Sequence, residues 1–333
     1  MKRIIEKLLE CLPNKLLLLI ENTISSEGHK NHIRTIRIRK FYEKTDLENL
    51  DVSCYPICKI KYGDWNYPLF HMYFINNMLA NILYCLSNGY RPVVEFINDE
   101  GINLWTQFLK QPFEEKFSIL NKKESQEKIC ELKQAPFFLP AFPNEKDVNY
   151  YHKLFKNFVV LNDDTEKYFD NEYNNVFPKD KRIIGVLCRG TDYTSNKPKG
   201  HPIQPEIGEV IEMVKQKMEE YKCEFIYLAT DEEKIKDEFD KIFKNQVLTN
   251  KRHYFDKFYK LKTDSGGEDT RISWVHFNRE NDSYYKSLEY FSSVNLLSKC
   301  NVLIAGSCGG SRMAMYLNNN QYDYCYLFNK GMY

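Results

Sequence analysis

Residues 183–205, IIGVLCRGTDYTSNKPKGHPIQP, hold the side chains of this chain best suited to chemistry. Six apolar residues run straight into Arg189, Gly190, Thr191 and Asp192, and a loop with Tyr193, Lys199 and His201 follows. Arginine is a permanent, fork-shaped cation that matches phosphate or carboxylate oxygens. At the carboxyl end of a strand in an open α/β sheet, where ligands bind, such a group predicts an anion site. A structural Arg–Asp pair at a strand end is the competing reading. His201 reads as a solvent-exposed loop histidine or, given its place after the arginine, as a functional one.

Two further strand ends carry polar clusters. EFIYLA ends in Thr230 and Asp231, which read as helix-capping residues or as ligand contacts. NVLIAG ends in GSCGGSR, a glycine-rich strand-to-helix turn holding Ser307, Gly309, Gly310, Ser311 and Arg312. Free backbone N–H groups at a helix start favour a phosphate. A tight connection is the plainer alternative for that turn alone. It is neither G-x-G-x-x-G nor a P-loop, which disfavours dinucleotide enzymes and kinase-type NTPases. In a parallel sheet all three strand ends share one edge and can converge on one ligand.

The elements that must position these residues alternate strand and helix, which predicts parallel sheets. From residue 180 onward the pattern forms a Rossmann-like domain, and residues 55–96 read as a β–loop–α–β unit. With 333 residues, two domains are the natural expectation, 1–175 and 176–333, with the boundary where periodicity fades at 160–178. Residues 29–40, HKNHIRTIRIRK, alternate isoleucine with arginine and read as an exposed edge strand.

Composition narrows the class. Lys and Arg number 47 against 46 Asp and Glu, a net charge of +1 that leaves no electrostatic footprint for nucleic acid. Ten cysteines without a disulfide framework or completed zinc spacing predict a reducing, cytoplasmic setting. For residues 1–20 three readings stay open, a helix lying on the inner membrane surface, a packing helix and a disordered leader, since the longest apolar run is far too short to span.

The order strand–RGTD, strand–ATD, then LSKCNVLIAGSCGGSRMAMYL resembles the fucosyltransferase superfamily, which includes α1,6-, α1,2- and protein-O-fucosyltransferases. Arg189, Thr191 and Asp192 match its first motif, in which Leu187 stands for a histidine and Gly190 for a second arginine. Leu297, Ser298, Ser307, Arg312 and Ala314 fall into its last motif. The resemblance implies a GT-B-like α/β fold, two Rossmann-like domains facing each other across a cleft. It implies an inverting, metal-independent transfer of a sugar, fucose from GDP-fucose first, to a glycan or lipid-linked glycan hydroxyl, with no cofactor. Arg189, Asp192 and His201 would be catalytic. Thr191, Tyr193, Lys199, Thr230, Asp231, Ser307, Gly309, Gly310, Ser311 and Arg312 would bind the nucleotide-sugar, and Trp65, Asn66 and His71 the acceptor. A GT-B enzyme with another nucleotide-sugar, and a non-catalytic nucleotide- or glycan-binding protein, remain as alternatives.

Overall fold

The computed structural model describes residues 8–61, 70–97, 101–114, 128–131, 140–190, 193–194, 197–256 and 275–333. Trp65, Asn66, Thr191 and Asp192 lie outside them. Two compact units divide the chain: Met1–Tyr67 with Tyr73–Leu139 and Asn157–Val160, and Pro68–Met72 with Pro140–Lys156 and Leu161–Tyr333.

The first unit opens on helices α1 (Asn14–Thr23) and α2 (Glu27–Lys44), then strand β1 (Ile57–Lys61), helix α3 (Met72–Ser87, whose first residue belongs to the second unit), and strands β2 (Arg91–Glu95) and β3 (Lys128–Glu131). The strands form a parallel sheet in the order β2-β1-β3. Residues 29–40, expected as an edge strand, lie within α2 instead. The reason is the i, i+3 spacing of Ile33 and Ile36, which puts both on one helical face against Leu17 of α1. Glu21 is buried between the helices, where its carboxylate accepts from Arg34 Nε at 2.8 Å and Arg37 Nη2 at 3.0 Å. Arg37 also donates to the Ser87 hydroxyl at the end of α3. The apolar side of α1 therefore has a protein partner, while Leu16 and Leu19 remain exposed. No helix among the described residues is long and apolar enough to cross a membrane.

The second unit runs α4 (Glu145–Phe158, whose last two residues belong to the first unit), α5 (Asp163–Val176), β4 (Ile183–Cys188), α6 (Ile207–Glu220), β5 (Phe225–Thr230), α7 (Glu233–Phe243), β6 (Val247–Leu248), α8 (Asp282–Ser298), β7 (Val302–Gly306), α9 (Gly309–Asn318) and β8 (Tyr324–Phe328). Its five strands are parallel in the order β6-β5-β4-β7-β8. Every residue of β4 and β7 is buried, as expected of central strands covered on both faces. Val210, Ile211 and Val214 of α6 and Ile235 and Phe239 of α7 join Ile184, Val186, Ile226 and Ile304 in the core. An α/β fold with parallel sheets is thus present in both units.

Residues 163–176, expected to be part of a fading boundary, form a full helix. Asn162 caps it, its side chain accepting from Thr165 N–H at 3.0 Å, and three acids fill the first turn. Phe169 packs edge-on against Phe291 and the neighbouring Phe177 against Tyr227. These contacts draw α5 into the second unit, so its chain is taken up from Leu161 rather than from residue 176.

Candidate functional site

The strand order decides where a ligand edge lies. The chain builds β4, β5 and β6 in one direction, then returns through α8 to place β7 on the other side of β4. β4 and β7 therefore flank the point where the winding reverses, and in open α/β sheets ligands bind outside the carboxyl ends of the strands there. Arg189 follows β4 directly, and the GSCGGSR turn begins at the last residue of β7.

Arg189 does not stand alone. Its Nη1 lies 3.0 Å from Asp231 Oδ2, and the other oxygen of that carboxylate accepts from Gly190 N–H, also at 3.0 Å. Asp231 is only 2% exposed, so it faces the arginine and not the solvent. The Arg–Asp pair read from the sequence is present, and it also orients the guanidinium. Beyond Arg189 the Tyr193 ring lies under the guanidinium, 4.8 Å from its carbon, and meets the His201 ring edge-on at 5.3 Å. Arg189, Tyr193 and His201 are thus one group. The main chain of 200–203 is held by the segment 331–333: Tyr333 N–H donates to His201 O at 3.0 Å and Ile203 N–H to Gly331 O at 3.0 Å. Lys199 is exposed beside it.

Thr230 is buried, and its hydroxyl accepts from Glu232 N–H at 3.3 Å, a turn that opens α7. The Glu232 carboxyl comes to the α-carbon of Gly190: a methyl built there would stand 2.2 Å from it. A side chain at 190 therefore requires Glu232 to move. Cys188, at the end of β4, is no thiolate nucleophile, because burial and then the Asp231 charge push its thiol up to about 12.

The glycine-rich turn divides its labour. Ser307 is fully buried and its hydroxyl donates to Ala141 O. The Ser311 hydroxyl accepts from Cys308 N–H at 2.9 Å in a reciprocal cap. Arg312 donates to Cys308 O and Pro140 O, both at 3.1 Å, and so holds residue 140 against the turn. These three side chains are engaged within the protein. Gly309 and Gly310, read from the sequence as turn residues, are instead the first two residues of α9, where backbone N–H groups lack an intrahelical acceptor. They are glycines for want of room: a methyl on Gly309 would be 3.2 Å from Met72 Cβ, and one on Gly310 3.1 Å from Leu187 Cδ1. Gln204, 6% exposed, ties the loop to the turn by donating to Ser307 O at 3.0 Å.

His71, read as a residue of the first domain, belongs to the second unit. Its neighbours explain why: Phe70 N–H donates to the Ser287 hydroxyl at 3.1 Å, and the Phe70 ring packs on Phe291 at 4.9 Å. Burial pushes the His71 imidazole down to about 4 from an ordinary 6.5. The unfolded chain therefore takes up a proton below pH 6.5 that the folded chain refuses until about pH 4, and stability falls as pH drops through that window. Denaturant unfolding at pH 7 and pH 5 is expected to differ by about 2 kcal/mol on this account, and by much less in His71→Gln. Equal pH dependence in both proteins would remove His71 as the cause.

Sequence reasoning missed Tyr290. It lies in α8, 101 positions beyond Arg189, in a tyrosine-rich run without a motif. Its hydroxyl oxygen accepts from Met72 N–H, and Arg189, Tyr193 and Cys308 all bear on it electrostatically. The only signal available in sequence is topological, since the amino-terminal half of a helix leading into β7 must lie at the ligand edge.

No protein-family model matches the chain, and no curated protein matches it. Among solved structures it is similar to NodZ α-1,6-fucosyltransferase soaked with GDP-fucose, at 12% identity and a TM-score of 0.46, covering 79% of this chain and 92% of that one. The fucosyltransferase NodZ from Bradyrhizobium gives 13% identity, a TM-score of 0.44 and the same coverage. POFUT1 in its apo form gives 12%, 0.36, and coverage of 87% of this chain and 78% of that one. At such identities and scores these likenesses fix neither family nor activity.

Proposed function

We propose that the chain is a glycosyltransferase that takes a nucleotide-diphosphate sugar, GDP-fucose first, and moves the sugar to a hydroxyl of a glycan acceptor. The observation that carries this reading is the pairing, across the switch point of one parallel sheet, of Arg189 with the open amides of Gly309 and Gly310. A diphosphate fits between a guanidinium and a helix start, and its terminal phosphate is the leaving group.

As the bond from the sugar to the β-phosphate breaks, negative charge grows on the departing oxygen. A guanidinium held in place by Asp231 stabilises that charge without having to reorganise. The acceptor hydroxyl attacks from the opposite face, which inverts the anomeric centre, and gives up its proton to Asp192 or His201. Arg189, with the α9 amides, meets the diphosphate charge without a metal. Tyr193 and Lys199 flank the donor, and Trp65, Asn66 and His71 meet the acceptor. The exposed Leu16 and Leu19 of α1 support a reading in which the chain works against the inner membrane face on a lipid-linked acceptor.

Gly190 leaves one guanidinium at the end of β4, so the nucleotide is tested against a panel. Calorimetric titration with GDP-, UDP-, dTDP- and CMP-sugars is expected to return selective binding of a GDP-sugar. Binding of another nucleotide-sugar would keep the enzyme class and change the donor. No binding to any of them would sink the donor site.

A further inference from the structure

We propose that the Tyr290 hydroxyl is a ligand-contacting group of this site, donating a hydrogen bond to the terminal phosphate of the nucleotide diphosphate and thereby serving as a further side-chain donor beside Arg189. The inference rests on the donor-site reading above and deepens it.

Three observations meet at this one oxygen. A methyl built on Gly309 or Gly310 would lie 3.9 or 3.6 Å from Tyr290 Oη, so the hydroxyl stands against the first two residues of α9. Met72 N–H donates to the same oxygen, which fixes its position and leaves the phenolic proton to point elsewhere. Arg189 and Tyr193 are close enough to act on its charge. The phenol therefore lies near both the guanidinium and the start of α9.

Its protonation state suits the role. Burial holds the phenol far above its ordinary range, with Arg189 only partly opposing, so it is a neutral donor at any physiological pH. A phenolate there would repel a phosphate, whereas a phenol donates to it. The local charge gives the donor its purpose. Asp231 already occupies one face of Arg189, and the Glu232 carboxylate lies against Gly190. A neutral O–H adds hydrogen-bonding capacity to the anion without a further cation that those carboxylates would capture.

The test is Tyr290→Phe, which removes one oxygen and keeps the ring, read by calorimetry with GDP and guanosine in parallel. A hydrogen bond to a charged group is worth about 1.5–3 kcal/mol, so GDP affinity is expected to fall at least about tenfold. Guanosine affinity is expected to stay within about twofold, because that ligand carries no phosphate. Loss of affinity for both ligands alike, or for neither, overturns the assignment. Wild-type protein that binds no GDP would instead fail the guanine-nucleotide part of the donor-site reading. Should the variant not fold, a crystal structure of the wild-type chain with GDP answers the same question. Tyr290 Oη within about 3.2 Å of a terminal phosphate oxygen supports the contact, and more than about 4 Å overturns it.

Discussion

On the proposed function, Arg189→Ala is expected to lower kcat/KM for sugar transfer by about a hundredfold or more, because it removes a guanidinium proposed to meet the leaving phosphate. It is also expected to destabilise the protein by about 3 kcal/mol. Asp231 is 2% exposed and would lose the guanidinium that its carboxylate faces. The two effects separate with a second variant. Arg189→Lys keeps a cation near Asp231 and should recover much of the stability, but a single ammonium cannot serve the carboxylate and a phosphate with the same fork. Its activity should therefore remain well below wild type. Steady-state kinetics beside thermal unfolding distinguish these cases. Activity of Arg189→Ala within about threefold of wild type would take the residue out of the chemistry.

Glu21→Ala is expected to be the most damaging single change in the first unit. It leaves Arg37, 1% exposed, buried beside Arg34 with no carboxylate between them. Breaking a buried pair from one side costs about 3–5 kcal/mol. Both guanidiniums also lie over the Tyr84 ring, at 5.1 and 5.5 Å, so the loss would spread from the α1–α2 pair to α3. Urea unfolding followed by circular dichroism measures it. Replacing Glu21 by Gln should cost less, since the amide oxygen still accepts. A loss below about 1 kcal/mol in the alanine variant would show that water reaches the pair and that burial is shallower than the structure has it.

What was legible in the sequence, and what was not, follows the range of the forces involved. β4, β5 and β7 could be read to within a residue or so, because a strand covered on both faces must be apolar throughout and has no other way to appear. The three polar strand ends followed from the same pattern. Residues 29–40 failed because Ile36 and Ile38 alternate while Ile33 and Ile36 keep a helical spacing, and Leu17, in another element, decides between them. Residues 163–176 failed because a polar helix carries little periodicity of its own, and its hold on the second unit comes from Phe169 and Phe177 meeting distant rings. At the site, Arg189 and the glycine turn were visible because their chemistry is written in adjacent residues. The orienting part of Asp231, the engagement of Ser307, Ser311 and Arg312 by the protein itself, and the place of Tyr290 depend on three-dimensional neighbours with no fixed spacing.

The start of α9 bears on how this protein would answer a mutational survey. Its serines and arginine are bound to the protein, and the groups proposed to meet a ligand are amides of Gly309 and Gly310. Truncating side chains one at a time would register there only as changes in folding, because alanine retains the amide that a serine or glycine presents. A survey scored on binding would pass over that half of the proposed anion site and credit all of it to Arg189. Exchanging the backbone N–H of Gly309 or Gly310 for an ester oxygen would expose what side-chain replacement conceals.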